Sequence, residues 1–234
     1  MNIVLLPKNT QIKSTLTINE PRQVQHIQNH LKLHVGDTLK IGIRDGQRYL
    51  TRVIALHKDT VDVCILTAQT IPEKRKITLI LALPRPKVLR RIIVDAVTLG
   101  VEHIILLHSY RVDKSYWQSP LLTQIDDYIT LGLEQAGDTV APQVQLYRRF
   151  KPFVEDILPE LMCDDRAVYV AHPYAEQTHQ QMNEPCCLVI GPEGGFIEYE
   201  IELFKKNGCQ IMSLGNRILR TETAIPYILG ALSI

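Results

Sequence analysis

The chain has 234 residues, of which 45% are hydrophobic and 22% charged, a composition typical of globular domains and unlike that of disordered or fibrous chains. No apolar run approaches the roughly 20 residues of a membrane-spanning helix, and the N-terminal stretch MNIVLLPKNT does not fit a signal peptide, so we expect a cytoplasmic protein without a membrane anchor. The formal net charge of +1 hides an asymmetry, because residues 1–114 contain 18 Lys and Arg against 9 Asp and Glu, and the remainder contains 8 against 16. A basic front half favours RNA as a partner, although the same imbalance could arise by chance or serve solubility.

Residues 1–72 are predicted to form a small β-barrel-like domain. Asp45-Gly46 and Lys58-Asp59 suit the turns of hairpins, and a short helix is expected over Pro21–Leu31. The expected strands are Thr38–Ile43, Tyr49–Leu56 and Thr60–Leu66. The charged segment IPEKRK (71–76) carries a proline and is interpreted as the linker to a second domain, which begins at residue 73.

From residue 77 the pattern predicts an α/β fold with a parallel sheet, because apolar runs alternate with helical stretches. The expected strands are 77–83, 103–108, 167–171, 187–191 and 211–215. A helix over 86–100 begins with Pro86, ends at Gly100 and has one apolar face. A second helix is expected over 197–206, stopped by Asn207-Gly208.

Neither disulfides nor a metal site are expected. The cysteines are odd in number and lack C-x-x-C spacing, which favours reduced thiols in a cytoplasm. They are Cys64, Cys163, Cys186, Cys187 and Cys209. His26 and His30 are four residues apart on the predicted first helix, but no third ligand lies near them in the sequence.

The stretch CCLVIGPEGGF (186–196) predicts a buried strand that runs into a glycine-rich turn. The turn matches neither the P-loop nor the dinucleotide-binding fingerprint, and no lysine follows its glycines until Lys205. Its charged residue is an acid, Glu193, which either hydrogen-bonds neighbouring backbone or faces a ligand. A phosphate ligand is therefore disfavoured.

A second glycine turn is expected in SLGNRILRTETAIPYILGAL (213–232), where Gly215 follows another strand. Thr221, Glu222 and Thr223 open a helix. We predict Thr223 as its N-cap, because Pro226 would then lie in the first turn, where its missing N–H costs nothing. Simple capping also explains the threonines, and a surface salt bridge with Glu222 or Glu193 also explains Arg220.

GPEGGF with the following Glu200, together with LGNRILRTETA, resembles the RsmE-type methyltransferases of the SPOUT superfamily. Weaker matches extend over the chain, in HIQNHLKLHVGD (26–37), LGVEHIILLHS (99–109) and EQAG (134–137). The resemblance implies methylation of N3 of a uridine in small-subunit (16S) ribosomal RNA with S-adenosyl-L-methionine. It also implies a PUA-like domain over 1–72, a SPOUT domain over 73–234 with a C-terminal trefoil knot, and a homodimer.

Several positions depart from the pattern of the family. Asp95 and Thr98 stand where a lysine and a glutamate are usual, and Asp138 replaces an arginine. Lys32 stands where an arginine is usual, and Ile197 where a small hydroxyl residue is common. The changes at Asp95 and Asp138 remove positive charge from positions expected to face RNA or a partner subunit, while the two glycine motifs are intact.

S-adenosylmethionine suits such turns, since it carries a sulfonium and an ammonium but no phosphate. Glycines allow backbone to approach the adenosine closely, and apolar side chains can enclose the adenine. The expected cofactor-binding residues are Ala171, His172, Ile190, Gly191, Pro192, Glu193, Gly194, Gly195, Leu214, Gly215, Ile218, Leu219, Arg220, Thr223 and Ala224.

For catalysis, we expect Arg220 to stabilise the charge that develops on the uracil carbonyl oxygens when N3 loses its proton. Glu222, Glu193 and a water all stay open as the base. The expected phosphate contacts are Lys32, Arg44, Arg48, Arg90, Arg91 and Arg111, each of which is alternatively a solvated surface charge. Two other functions stay open: methylation of a different RNA, motivated by the departures, and RNA binding without catalysis. A general nucleotide-binding enzyme is disfavoured by the missing lysine.

Overall fold

The structure, a computed structural model, describes residues 1–162, 166–176 and 182–232. The chain divides into two compact units. The first comprises Met1–Glu73 and Thr130–Ala141, and the second comprises Lys74–Ile129 and Pro142–Ile234. Cys163 lies outside the described residues; the other four cysteines are free thiols. No helix in the described ranges is long and apolar enough to cross a membrane.

The first unit contains a five-stranded sheet with the order β1-β3-β4-β5-β2. Its strands are β1 (Val4–Leu6), β2 (Thr15–Ile18), β3 (Thr38–Ile43), β4 (Arg48–Leu56) and β5 (Val61–Gln69). β1 pairs parallel to β3, and the other neighbours are antiparallel. Helix α1 (Pro21–Gln25) continues as a π-helical turn over His26–His30, where one helix was expected.

A single hydrophobic cluster fills the first unit. In β3, Leu39, Ile41 and Ile43 are buried, and Val61 and Val63 of β5 belong to the same cluster. This alternation buries one face of each strand, as expected for a sheet curled around one core. The sheet and its core therefore fit a small barrel domain.

Residues 130–141 belong to the first unit through bonds that are distant in sequence. Glu134 accepts two hydrogen bonds of 2.8 Å from the guanidinium of Arg22. Arg48 donates to the carbonyl of Gly137 over 2.6 Å, and the Thr139 hydroxyl donates to the carbonyl of Gly46 over 2.6 Å. The first unit is consequently discontinuous in sequence.

The second unit is built on a six-stranded, wholly parallel sheet with the order β11-β9-β10-β6-β7-β8. The strands are β6 (Arg75–Ala82), β7 (Val101–Leu107), β8 (Gln143–Tyr147), β9 (Ala167–Ala171), β10 (Cys186–Ile190) and β11 (Gln210–Met212). Both the α/β class and the parallel sheet are confirmed. The edge strand β8 was not predicted, because its sequence QVQLY is short and mostly exposed.

The α-helices after β6 lie between or after these strands, and α3 is divided between the two units. They are α2 (Pro86–Thr98), α3 (Ile125–Ala136), α4 (Phe150–Pro152), α5 (Leu158–Leu161), α6 (Glu198–Lys206) and α7 (Thr221–Ala231). Two 3-10 helices, Lys114–Gln118 and Pro120–Gln124, precede α3, and a π-helical turn, Phe153–Ile157, joins α4 to α5. The last residues of α3 are those counted with the first unit.

Helix α2 begins at the predicted residue and ends two residues before the predicted end. It begins at Pro86, which has no N–H to satisfy, and Gly100 follows its end with a φ of +82°. The apolar positions Leu89, Ile93 and Val97 are buried, as the helical spacing predicts. The helix thus packs against the sheet with its predicted apolar face.

Candidate functional site

A cavity of about 770 Å³ opens at the carboxyl ends of the parallel strands. Strand β9 contributes Ala171 and β10 contributes Ile190, each as its last residue. Loops supply the rest, as is usual for ligand sites in open parallel sheets. The lining also includes Arg85, Val88, Arg111, His172, Pro173, Tyr174, Gly191, Pro192, Glu193, Gly194, Gly195, Phe196, Ile197, Glu198, Leu214, Arg217, Ile218, Leu219, Arg220, Thr221, Glu222 and Ala224.

The first glycine turn forms one wall of this cavity. The N–H of Gly195 donates to the carbonyl of Pro192 over 2.8 Å, which closes a tight turn. Gly195 has a φ of +71°, a conformation that side-chain-bearing residues rarely adopt. A Cβ at Gly194 would lie 3.1 Å from Cδ of Arg111. The turn therefore needs glycine for backbone conformation at one position and for close packing at the next.

The second glycine turn meets the first at the same cavity. Gly215 has a φ of +107°, and the chain then runs through Arg217–Arg220 into α7. The Thr221 hydroxyl donates to the carbonyl of Gly191 over 3.4 Å, a long contact that links the two turns. The structure therefore places residues of both motifs at one cavity, and their role in cofactor binding stays a prediction.

The predicted N-cap of α7 is wrong. The helix begins at Thr221 and its N-cap is Arg220, whose carbonyl accepts from the N–H groups of Thr223 and Ala224 over 2.9 and 2.8 Å. Thr221 is buried and its hydroxyl bonds the Gly191 carbonyl, and the helix starts three residues earlier than expected. Pro226 consequently lies inside the helix, where its ring removes one backbone bond.

Of the two roles considered for Glu193, the structure shows the hydrogen bond to backbone. Its Oε1 accepts from the backbone N–H of Arg85 over 3.0 Å. Arg85 follows β6, so this bond ties the loop after β6 to the turn after β10. The carboxylate lines the cavity as well, so the bond to backbone and a role toward a ligand are compatible.

The cavity is rich in arginine. Arg85, Arg111, Arg217 and Arg220 line it and are exposed, and no lysine belongs to the lining that the structure describes. Glu193, Glu198 and Glu222 balance part of this charge. Arginine forks at the mouth of a cavity suit planar or multiply charged oxygen acceptors.

His172 offers a hydrogen-bonding group inside the cavity. Its Nδ1 is buried and has no partner within the described part of the chain. Burial lowers the pKa of the His172 ring, and the charge of Lys205 lowers it further. The ring packs edge-on against Tyr174, with centroids 5.8 Å apart. A neutral imidazole with an unused nitrogen can bond a neutral polar ligand atom.

Most of the predicted cofactor-binding residues line this one cavity. Gly215 and Thr223 do not: Gly215 shapes the second turn through its backbone, and Thr223 is exposed on α7. Arg85, Tyr174 and Arg217 were missed. Arg85 follows the predicted strand 77–83 in the sequence LPRP. Because the loops after neighbouring parallel strands converge, this position could have been predicted to line the cavity.

The residues predicted to contact RNA fall into different surroundings. Lys32 is exposed with a φ of +52°, and Arg90 and Arg91 are exposed on α2. The guanidinium groups of Arg44 and Arg48 donate within the first unit, to the Thr130 hydroxyl over 2.8 Å and to the Gly137 carbonyl. Arg111 lies at the cavity, where it donates to the carbonyl of Gly194. Their role in RNA binding stays a prediction.

One of the departures, Asp138, has a local structural role. The buried carboxylate of Asp138 accepts from the backbone N–H groups of Thr139 and Val140 over 2.6 and 3.0 Å, which ends the segment after α3. Burial raises the pKa of Asp95, and the charge of Arg91 opposes that shift. Neither acid belongs to the lining of the cavity.

No group of three or more potential metal ligands exists among the described residues. His26 and His30 are neighbours with ring centroids 5.5 Å apart, but they have no third ligand there. Burial lowers the pKa of His26, and the nearby N-terminus and His30 lower it further. The pair is therefore interpreted as a packed histidine pair.

Comparisons with known proteins agree on the family. The model of the RNA methyltransferase domain matches residues 72–233. The ribosomal RNA small subunit methyltransferase E of Treponema pallidum is 28% identical over 245 residues, which cover 96% of this chain and 87% of that protein. The protein of the same name from Bacillus subtilis is 27% identical, with 90% of this chain and 87% of that protein covered.

Solved structures share the fold. The ribosomal RNA small subunit methyltransferase E from Neisseria gonorrhoeae, bound to S-adenosyl methionine, has a TM-score of 0.79 and 23% identity, with 99% of this chain and 96% of that chain covered. A methyltransferase from Legionella pneumophila in complex with the same cofactor has a TM-score of 0.75 and 24% identity, with 98% and 95% covered. The chain therefore belongs to the RNA methyltransferase domain family, and its resemblance to the RsmE-type members of the SPOUT superfamily is confirmed.

Proposed function

We propose that the chain transfers a methyl group from S-adenosyl-L-methionine to N3 of a uridine in small-subunit ribosomal RNA. The observation that carries this proposal is that residues of both glycine turns line one cavity, whose described lining contains no lysine. The named relatives are small-subunit ribosomal RNA methyltransferases, which supports the substrate class. The cofactor follows from the family and from the chemistry of the lining.

The residues present fit S-adenosylmethionine. Gly191, Gly194 and Gly195 line the cavity, a Cβ at Gly195 would meet nothing within 4 Å, and the buried Nδ1 of His172 can bond a neutral polar atom. Ile190, Leu214, Leu219 and Ala224 provide the apolar surface that an adenine requires. When bound, this cofactor supplies an electrophilic methyl group.

Arg220 is proposed as the catalytic residue. It is the N-cap of α7, is exposed, and lines the cavity between the second glycine turn and the helix. A guanidinium placed there can stabilise negative charge on the uracil carbonyl oxygens, and the positive end of the α7 dipole acts in the same direction.

The base that removes the N3 proton is proposed to be Glu222 or a water that it holds. Glu222 lies in the first turn of α7 and lines the cavity. Glu193 is less suited, because one of its oxygens already accepts from the N–H of Arg85. Holding N3 and the methyl group in line supplies the rest of the rate gain.

The RNA is proposed to bind through both domains. Residues 1–72 would form a PUA-like RNA-binding domain and residues 73–234 the SPOUT domain. The proposed phosphate contacts are Lys32, Arg44, Arg48, Arg90, Arg91 and Arg111. The segment 213–232 would complete a trefoil knot, the active species would be a homodimer, and the ribosomal substrate implies a cytoplasmic location.

The test of the catalytic role is Arg220→Ala, assayed with radiolabelled cofactor on unmodified small-subunit RNA or subunits. We expect binding of S-adenosylmethionine to be retained and methyl transfer to fall about 100-fold or more, as for loss of one oxyanion donor. Arg149→Ala is the matched control, because Arg149 is exposed in the same unit outside the cavity. Full activity of Arg220→Ala would refute the catalytic role.

A different RNA target is the second candidate, and the acids at Asp95 and Asp138 favour it. Nucleoside mass spectrometry of ribosomal RNA from a deletion strain separates the two possibilities. Loss of 3-methyluridine supports the proposed target, whereas unchanged 3-methyluridine with loss of another methylated base supports the alternative. Absence of cofactor binding by the wild-type chain would instead indicate an RNA-binding protein without catalysis.

A further inference from the structure

Glu200 is a buried carboxylate close to the cavity. It lies in the first turn of α6, and 2% of the residue is exposed. Among the described residues no cation lies within ion-pair distance of Glu200, although its charge acts on the ring of His108, so backbone N–H groups are its hydrogen-bond donors. A buried acid held in this way needs an explanation, because burying a carboxylate without good partners is costly.

One of its oxygens caps its own helix. Oε2 accepts from the backbone N–H of Ile197 over 3.0 Å. This is the glutamate half of a capping box. The other half is missing, since the N-cap Ile197 has no side-chain acceptor for the Glu200 N–H. The carboxylate also benefits from the positive end of the α6 dipole.

The other oxygen reaches a different loop. Oε1 accepts from the backbone N–H of Tyr110 over 2.8 Å. Tyr110 follows β7, whereas α6 follows the glycine turn after β10. Strand β6 lies between β7 and β10 in the sheet, so no backbone ladder joins the two loops directly. The Glu200 side chain bridges that gap.

The residue after Tyr110 completes a closed arrangement. Arg111 donates from a guanidinium nitrogen to the carbonyl of Gly194, and its Cδ would lie 3.1 Å from a Cβ at that glycine. Both Arg111 and Gly194 line the cavity. Glu200 thus holds the backbone N–H of Tyr110, and the Gly194 carbonyl holds the guanidinium of the next residue, Arg111.

We propose that Glu200 is a positioning residue, which holds Arg111 on the carbonyl of Gly194 and thereby fixes the glycine turn in the shape that binds the cofactor. The inference rests on the proposed function and extends it to a residue outside the lining of the cavity. It predicts that losing Glu200 weakens cofactor binding more than it slows the transfer step.

The first variant is Glu200→Gln. Its amide NH₂ replaces one carboxylate oxygen and cannot accept from a backbone N–H, so one of the two hydrogen bonds is lost. We expect Kd and KM for S-adenosylmethionine to rise about tenfold, with kcat within about twofold of wild type. Glu202→Gln is the matched control, since Glu202 lies on the same helix but is exposed and pairs with Lys205. Its Kd should equal that of the wild type.

The second measurement is a double-mutant cycle with Arg111→Ala. If Glu200 acts through Arg111, Arg111→Ala alone raises Kd by a similar factor, and the double variant is hardly weaker than either single one. Additive effects overturn the proposal, as does unchanged binding in Glu200→Gln. Should Glu200→Gln fail to fold, Arg111→Ala decides alone, because this exposed residue can be removed without disturbing the core, and unchanged Kd there overturns the proposal.

The outcomes separate this inference from the function on which it rests. A wild-type chain that binds no S-adenosylmethionine contradicts the proposed function. A wild-type chain that binds it, alongside a Glu200→Gln variant that binds equally well, contradicts only the role of Glu200.

Discussion

In the second unit, the parallel sheet positions the residues of the cavity. In the first unit, hydrogen bonds and an ion pair of polar side chains attach residues 130–141, which are distant in the sequence. In the second unit, the ends of β9 and β10 bring Ala171 and Ile190 to one cavity, and glycine turns shape its wall. In the first unit, Glu134 is bound by Arg22, 112 positions earlier in the chain. Backbone hydrogen bonds of the sheet therefore position the cavity, whereas side-chain ion pairs attach residues 130–141 to the first unit. The two regions should respond differently to substitution.

The largest expected effect comes from the aromatic cluster beneath the glycine turn. Phe204 is fully buried and packs edge-on against Phe150 and Phe196, with centroids 5.2 and 5.3 Å apart. Phe204→Ala should lower the free energy of unfolding of the second unit by about 4 kcal/mol, through lost burial and a residual cavity. Fluorescence of Trp117, the single tryptophan of the chain, during urea unfolding measures this.

The same variant, Phe204→Ala, also tests whether the aromatic cluster supports cofactor binding in the second unit. Phe196 lies 3.3 Å from the position of a Cβ at Gly191, so loosening the cluster should also weaken binding of S-adenosylmethionine. Phe204→Leu is the milder control, expected to cost roughly 1.5 kcal/mol. Binding of S-adenosylmethionine by Phe204→Ala at the wild-type level would show that the cluster does not support the turn.

A smaller effect is expected in the first unit, and it should be asymmetric. The Glu134 side chain is 2% exposed, whereas that of Arg22 is 47% exposed. Arg22→Ala leaves a buried carboxylate without its cation and should cost about 3 kcal/mol, the lower end for a buried pair because the arginine is half in water. Glu134→Gln leaves an arginine that water can solvate and should cost about 1 kcal/mol.

Circular dichroism during urea unfolding measures both variants, because the tryptophan belongs to the second unit. Binding of S-adenosylmethionine should stay at the wild-type level in each, since every residue lining the cavity belongs to the second unit. A larger loss for Glu134→Gln than for Arg22→Ala would contradict the assignment of the buried partner.

The smallest effect is a pH dependence within the second unit. The indole N–H of Trp117 donates to Nδ1 of His108 over 2.9 Å, which requires that nitrogen to be unprotonated. Burial lowers the pKa of His108, Lys114 lowers it further, and Glu200 opposes the shift. Because the unfolded chain binds the proton more readily, the stabilisation is complete above about pH 6.5 and is lost as the pH falls toward the folded pKa.

Tryptophan emission as a function of pH tests this directly. The emission should be constant above about pH 7 and should change below about pH 6.5 as His108 is protonated. His108→Asn keeps an acceptor near the indole but does not titrate, so its emission should stay flat over the same range. An identical pH profile in that variant would exclude His108 as the titrating group.

Much of the second unit could be predicted because its signals are local. Each buried parallel strand is a short apolar run, and the positive φ of Gly195 and Gly215 needs glycine. The start of α7 could not be predicted from its own residues. Thr223 was expected as the cap because that choice placed Pro226 in the first turn, whereas the helix begins at Thr221, whose hydroxyl bonds the carbonyl of Gly191, 30 positions away.

The first unit shows the complementary limit. Hairpin turns and alternating strands were readable, yet nothing local to residues 130–141 shows that they belong there. Thr139 packs so closely on Gly42 that a side chain at that glycine would collide with the Thr139 methyl group. Such close approaches join residues that only the folded chain brings together. Likewise, Asp138 looked like a lost arginine in the sequence, whereas in the fold it caps backbone N–H groups.

Calorimetric titration with S-adenosylmethionine tests the central claim most directly, using the wild type, Gly195→Ala and Gly36→Ala. Gly195 and Gly36 both have a positive φ and open space at Cβ, but only Gly195 lines the cavity. We predict saturable binding by the wild type and Gly36→Ala, and binding about tenfold weaker in Gly195→Ala, because a side chain strains the turn. No binding by the wild type, or equal binding by Gly195→Ala, would contradict the account.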